Sequence, residues 1–277
     1  MILVAGSNTF ALNPITLTEL ERRMLLDKQN SRVVYRYPSE DAFKFELKMR
    51  TNIVEAAKAL YAGGANFATF ARSRCNERYW TRTENGGFML NRGVWPSDGI
   101  YDIFVNGRLY GFECAGAIII ILYKAVLDTV GGAVFNAYFQ NLFLRDWQFD
   151  RDLRLITTYN NYNAYPGDVL YFKNPDYDPR TPEWQGENVV MMDDNLYFGH
   201  GIGIKSGQEI VAGLNRMRRR GSIISAYMQD SVVSPDFEYL RSLTMRDDAQ
   251  PVVKSVERQY GIVAKIGAGT FIYKEVL

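Results

Sequence analysis

A chain of 277 residues, 47% of them hydrophobic, can bury a core of its own and suits one large domain better than two small ones. A net charge of +1 offers no extended surface for nucleic acid, whose binding rests on many lysine and arginine contacts to phosphate. Two cysteines exclude a disulfide scaffold, and a single histidine leaves too few ligands for a four-coordinate zinc site without carboxylates, so no metal or cofactor is expected.

In chain order, Met1 to Ser7 has no basic n-region and too short an apolar run for a secretory signal, so the chain reads as made and at first kept inside a cell. Thr16-Leu17-Thr18-Glu19 has capping-box spacing and opens a helix ending near Asp27. Ser39, with Glu40 and Asp41 behind it, caps a second helix, in which Phe43, Leu47, Ile53, Val54, Ala57 and Leu60 keep helical spacing until Gly63-Gly64. Tyr79 to Thr83 and Phe88 to Leu90 predict a hairpin around the Asn85-Gly86 turn. Ser97 caps a short helix through Phe104, closed by Asn106-Gly107.

Ala115 to Asp128 is apolar on nearly every side until Lys124, which predicts a helix in the middle of a domain, ended by Gly131-Gly132. Its apolar run is far below the about twenty residues that span a bilayer, so no membrane is expected. An aromatic-rich helix follows from Val134 to Leu144. Pro166-Gly167-Asp168 then turns the chain into a strand through Lys173, and two more strands, Glu187 to Met192 and Asn195 to Ile204, flank the turn Asp193-Asp194-Asn195. Ser206-Gly207-Gln208-Glu209 is a capping box whose helix is expected to run to Arg220. Past Pro235 the chain turns polar. We therefore expect a catalytic domain over 1–235 and an extension over 236–277, with a turn at Gly267-Ala268-Gly269 and a last strand at Thr270 to Tyr273.

Cys114 stands just before the buried helix. The free N–H groups of a helix start lower a thiol pKa and supply donors for an oxyanion. His200, in Phe198-Gly199-His200-Gly201, lies far along the chain on the last of the three strands, from where it can take or hold the thiol proton. A lone buried cysteine or histidine is more often packing, and it is their joint placement that points to chemistry. Cys75 has basic neighbours but no such setting and reads as incidental. Asp176 and Asp178 lack the spacing of a calcium loop. Arg216, Arg218, Arg219 and Arg220 read as the solvated end of a helix.

A helix-start cysteine, then Pro166-Gly167-Asp168-Val169-Leu170-Tyr171-Phe172, then His200-Gly201-Ile202-Gly203-Ile204 resembles the order of NlpC-type papain-like folds, with an extra stretch from Asn174 to Met192. Four blocks sharpen the likeness: Phe112-Glu113-Cys114-Ala115, Tyr171-Phe172-Lys173-Asn174-Pro175, Trp184-Gln185-Gly186-Glu187-Asn188-Val189 and Phe198-Gly199-His200-Gly201. Together with Phe45 to Arg50 and Phe67 to Phe70 they resemble the spore-coat transglutaminase family of endospore-forming bacilli, over most of the chain to about Gln229.

That resemblance implies an α+β fold with a papain-like or NlpC-like core: a central antiparallel sheet, a buried helix carrying the nucleophilic cysteine, and extra N-terminal helices. It implies a metal-independent protein-glutamine γ-glutamyltransferase, with Cys114 as nucleophile, Glu187 as its partner, and Glu113 and His200 close by. It also implies substrates that are proteins presenting glutamine and lysine, drawn from the spore coat, and an enzyme made in the mother cell cytoplasm and deposited in that coat. Whether Glu187 or His200 is the principal base stays open, since papain logic favours the histidine. Phe67, Trp147, Tyr171 and Trp184 are candidate walls of an apolar tunnel for the two substrate side chains. An NlpC-type cysteine peptidase or amidase acting on wall peptides, or a coat protein without catalysis, are the alternatives.

Overall fold

The computed structural model describes residues 1–5 and 16–245, together with the backbone of two strands at 261–266 and 269–274. The first strand, β1 (Ile2–Val4), pairs in parallel with β2 (Tyr35–Tyr37), and between them lies helix α1 (Glu19–Asn30). Its cap is Thr18, which accepts from Glu21 N–H while Glu21 reaches back, so the capping box sits two residues later than Thr16 and Glu19 would have it. Both spacings satisfy the motif, and tertiary context selects the second.

Helix α2 (Glu40–Gly63) begins at Ser39, whose hydroxyl accepts from Ala42 N–H, and stops at Gly64, held at φ +81° where a side chain would be strained. Short strand β3 (Asn66–Phe67) leads to the expected hairpin, β4 (Trp80–Arg82) with β5 (Phe88–Leu90). Helix α3 (Pro96–Val105) starts with proline in its first turn after Trp95, so Ser97 lies inside the helix and does not cap it. Strand β6 (Gly111–Phe112) pairs with β3 and delivers the chain into α4 (Cys114–Val130). Ile118, Ile119, Ile120 and Ile121 are at most 1% exposed, each burial being worth about 2–3 kcal/mol.

Helix α5 (Gly132–Tyr138) is shorter than the aromatic pattern suggested, because Phe143 and Leu144 form β7 on the edge of the β4–β5 hairpin. The next six strands, β8 (Leu155–Tyr159), β9 (Val169–Lys173), β10 (Gly186–Asp193), β11 (Leu196–Gly199), β12 (Gly203–Ser206) and β13 (Tyr227–Pro235), make one antiparallel sheet in the order β12-β11-β10-β9-β13-β8. Helix α6 (Gly207–Arg216) uses the Ser206 box but ends four residues short of Arg220, where Arg218 bridges to Tyr177 instead.

Side chains alternate across the sheet. Val169, Val190, Met192 and Phe198 enter the core formed with α2 and α4, whereas Leu170, Phe172, Val189 and Met191 pack with Ile210 and Leu214 of α6 on the other face. The sheet is therefore sandwiched between helices, which gives the α+β class.

Two differences bear on function. The single strand expected over 195–204 is a hairpin, and His200 lies in the turn between β11 and β12, not on a strand. Helix α7 (Phe237–Thr244) follows β13 directly and buries Leu240 and Leu243 in the main core, so the body of the chain extends past residue 235. The chain divides into Met1–Arg246 and Asp247–Leu277. In the latter β14 (Gly261–Ile266) pairs with β15 (Gly269–Lys274), which contains the expected strand. Residues 267 and 268 of the expected turn lie outside the described residues.

Candidate active site

Cys114 is the first residue of α4 and opens into a cavity of about 680 Å³, lined also by Phe67, Glu113, Trp147, Tyr171 and Asn188. Three of the four proposed tunnel walls are thus present. Trp184 is not among them: it packs with the α6 face of the sheet and lines a separate cavity.

Glu113 is the cap of α4. Its carboxylate accepts from Ala115 N–H and Gly116 N–H at 2.6 Å each, and glycine at 116 is what allows this, because a Cβ there would lie 2.6 Å from Glu113 Oε1. The backbone of Asp146, a residue held at φ +52°, lies on the same side and also favours the charged carboxylate, though burial outweighs it and raises the Glu113 pKa. The expectation of a bare helix start offering donors and a depressed thiol pKa is therefore overturned. Burial, then the charges of Glu187 and Glu113, push the Cys114 thiol up, so the resting sulfur is a thiol.

Glu187 is on β10, 4% exposed, and its Oε1 has no hydrogen-bond partner among the described residues. Burial first, then the negative charge of Glu113, hold its pKa well above the ordinary carboxylate range. The side chain lies against Gly199, where a Cβ would come within 2.8 Å of Oε1. Strand alternation turns the neighbouring residue, Asn188, toward α4, and it is Asn188 whose Nδ2 donates to Cys114 Sγ at 3.7 Å. Sequence reasoning missed Asn188, although period-two alternation from the core-facing Val190 would have placed it on the cysteine's side.

His200 is 4% exposed and stacks on Phe112, ring centroids 4.8 Å apart, with Phe67 at 6.4 Å. Burial lowers its pKa to about 4, against the opposing pull of the Asn66 and Phe112 backbone carbonyls on the ring N–H, so the ring is neutral at pH 7. No hydrogen bond joins it to Cys114 or Glu187 among the described residues, and its Nε2 is buried without a partner. The structure thus brings Cys114, Glu113 and Glu187 into one electrostatic cluster and sets the imidazole behind Phe112, two residues upstream of the cysteine.

Cys75 is half-buried, gives its Sγ to Trp80 O at 3.5 Å, and burial raises its pKa to about 11, which fits packing. Among the described residues no group of three or more His, Cys, Asp and Glu side chains is arranged to hold a metal ion, and no helix is long and apolar enough to cross a membrane.

The model of the family described as "TGL: Protein-glutamine gamma-glutamyltransferase" matches residues 1–244. The chain is 42% identical over 241 residues to the protein-glutamine gamma-glutamyltransferase of a Bacillus cereus strain, covering 87% of each chain. The Bacillus mycoides enzyme of that name is equally similar, at 42% identity and 87% coverage of each. A solved structure, a transglutaminase from Geobacillus stearothermophilus without its C-terminal extension, superposes with a TM-score of 0.71 at 48% identity, covering 74% of this chain and 98% of that one. With a sheet, a capped cysteine helix and a buried acid of this kind, and with these relatives, the chain belongs to the protein-glutamine gamma-glutamyltransferase family.

Proposed function

We propose that the chain joins protein glutamine to protein lysine through a thioester on Cys114, with Glu187 carrying the proton. The observation that supports this most is a buried carboxylate, with an oxygen unpartnered among the described residues, whose charge acts on a thiol that faces a cavity lined by Phe67, Trp147 and Tyr171. A thiol with a raised pKa attacks only if a base takes its proton as the bond forms, and a carboxylate with a raised pKa is matched to that task near neutral pH. Catalytic hydrogen bonds are often long or unmade in a free enzyme and tighten once substrate is bound.

In the first half, Sγ attacks the γ-carboxamide carbon while the thiol proton passes to Glu187. The C–N bond then breaks, and Glu187 returns the proton to the leaving ammonia. In the second half, a neutral lysine ε-amine attacks the thioester and gives its proton to Glu187. The C–S bond breaks and the proton goes back to sulfur, leaving an isopeptide bond. Phe67, Trp147 and Tyr171 shelter the thioester from water, which favours transfer over hydrolysis. Glu113, tied to the N–H groups of Ala115 and Gly116, acts as a cap and a negative charge beside the sulfur. His200, neutral and wedged behind Phe112, supports the β3–β6 wall of the site.

The papain-like reading of the core rests on the same parts: a nucleophile at a helix start packed on an antiparallel sheet whose β11–β12 turn carries the histidine. We take Met1–Arg246 as the catalytic unit, with the remainder an extension. Relatives from Bacillus favour the spore coat as the source of its protein substrates and mother-cell synthesis as its origin. The deciding experiment incubates the protein with a glutamine donor protein and a fluorescent primary amine. Incorporation that disappears in Cys114→Ala supports the reading and persists in EDTA if no metal is needed; cleavage of wall peptide without incorporation, or silence from a folded sample, overturns it.

A further inference from the structure

Acyl transfer through a tetrahedral intermediate needs donors for an oxyanion, and two of the usual ones at a helix start are already taken. Ala115 and Gly116 N–H both point at Glu113, at 2.6 Å, so an anion occupies the position from which those groups would hold a second one. Asn188 is placed to replace them. It is 8% exposed, stands opposite Tyr171 in the β9–β10 register, and lines the same cavity as Cys114. Its Nδ2 is 3.7 Å from Sγ and is the one side-chain donor the sulfur receives among the described residues. Val190 and Met192, on the same face of β10, are locked in the core with α4, which fixes where the amide is aimed.

From this placement, and resting on the thioester reading above, we infer that Asn188 is a further catalytic residue, whose carboxamide N–H stabilises the sulfur as it loses its proton and then the oxyanion that forms beside it. As the C–S bond forms, the carbonyl π pair moves to oxygen and the N–H shifts from sulfur to that oxygen. When the pair returns, the C–N bond breaks. In the second half the pair returns with loss of the C–S bond, and the electrons on sulfur meet the same donor again. No proton leaves the amide. A carboxamide does not titrate, so its contribution is constant with pH, which separates it from the proton carrier Glu187.

The test uses a Cys75→Ser background, so that Cys114 is the remaining thiol. Asn188→Ala and Asn188→Asp are compared with Gln185→Ala, which removes the other carboxamide on the cavity wall. Both Asn188 variants should lose about 10²–10³ in kcat for amine incorporation, with KM for the glutamine donor changed by less than about threefold. Asn188→Ala should keep the shape of the wild-type pH profile. Iodoacetamide should alkylate Cys114 in Asn188→Ala only at higher pH than in the parent, whereas an unfolded variant would react as an ordinary free thiol. Gln185→Ala should lose less than about tenfold. Wild-type kcat and alkylation in Asn188→Ala, with Cys114→Ala inactive, would remove the assignment of Asn188 alone; activity in Cys114→Ala would instead remove the thioester reading beneath it.

Discussion

Glu187 carries the sharpest consequences of the site at the residue scale. A buried carboxylate held above its ordinary value of 4.5 binds its proton more tightly in the folded than in the unfolded chain, so it costs stability increasingly as pH rises above 4.5. Glu187→Gln should therefore raise the unfolding midpoint in urea at neutral pH, by more than at pH 4.5, while amine incorporation falls further than in His200→Ala. An acid that is proposed to carry the proton and that destabilises its own fold is the expected trade; a Gln variant both less stable and fully active would contradict it. His200 has the opposite slope. Its folded value of about 4 lies below the ordinary 6.5, so the unfolded chain binds more protons between those limits and stability is lost as pH falls through them. The span corresponds to roughly 3 kcal/mol. The stability lost between pH 7 and pH 4 in urea unfolding should shrink by about that amount in His200→Gln. Cys114, Glu113, Glu187 and His200 were singled out in the sequence because chemistry restricts which residue types serve, and the structure groups the first three and sets His200 apart. Asn188 was not, because an amide has no such signature, and the raised thiol pKa was not, because Glu113 reads in sequence as a neighbour and in space as a cap.

At the scale of elements, α1, α2 and the turn into β9 are held by charges that periodicity could not connect. Glu46 Oε1 accepts from Arg50 Nε at 2.7 Å and pairs with Lys28 Nζ at 3.0 Å, and Arg50 Nη1 reaches Asp168 Oδ1 at 2.7 Å. All four side chains are under a tenth exposed, and Asp168 also accepts from Tyr165 N–H at 2.8 Å. Removing one member leaves a buried charge unmatched. Asp168→Asn should cost about 3–5 kcal/mol in urea unfolding, far more than Asp178→Asn, whose arginine partner is exposed. The same turn was visible as Pro166-Gly167-Asp168, and α2 and α4 were legible from apolar spacing and terminal glycines. Boundaries that failed, such as the ends of α5 and α6, are places where a short strand or bridge competes with a helix whose own pattern continues. Local propensity cannot weigh that competition.

For the whole molecule, the question is where the folding unit ends. Polar composition after Pro235 hid the amphipathic helix α7, whose Leu240 and Leu243 are 0% and 1% exposed. Each buried leucine is worth about 2–3 kcal/mol, a large share of a domain's net stability. The family match also stops at residue 244, and the Geobacillus stearothermophilus structure has this fold without its extension. A chain cut after Arg246 should therefore unfold cooperatively at close to the full-length midpoint and keep its amine incorporation. A chain cut after Pro235 should lose several kcal/mol and expose the α2–α4 surface that α7 covers, aggregating on expression. Thermal unfolding and initial rates on the two truncations check this. Equal stability of both would mean that α7 contributes nothing to the core, and loss of activity in the longer one would assign the extension a part in catalysis that burial and family boundaries do not give it.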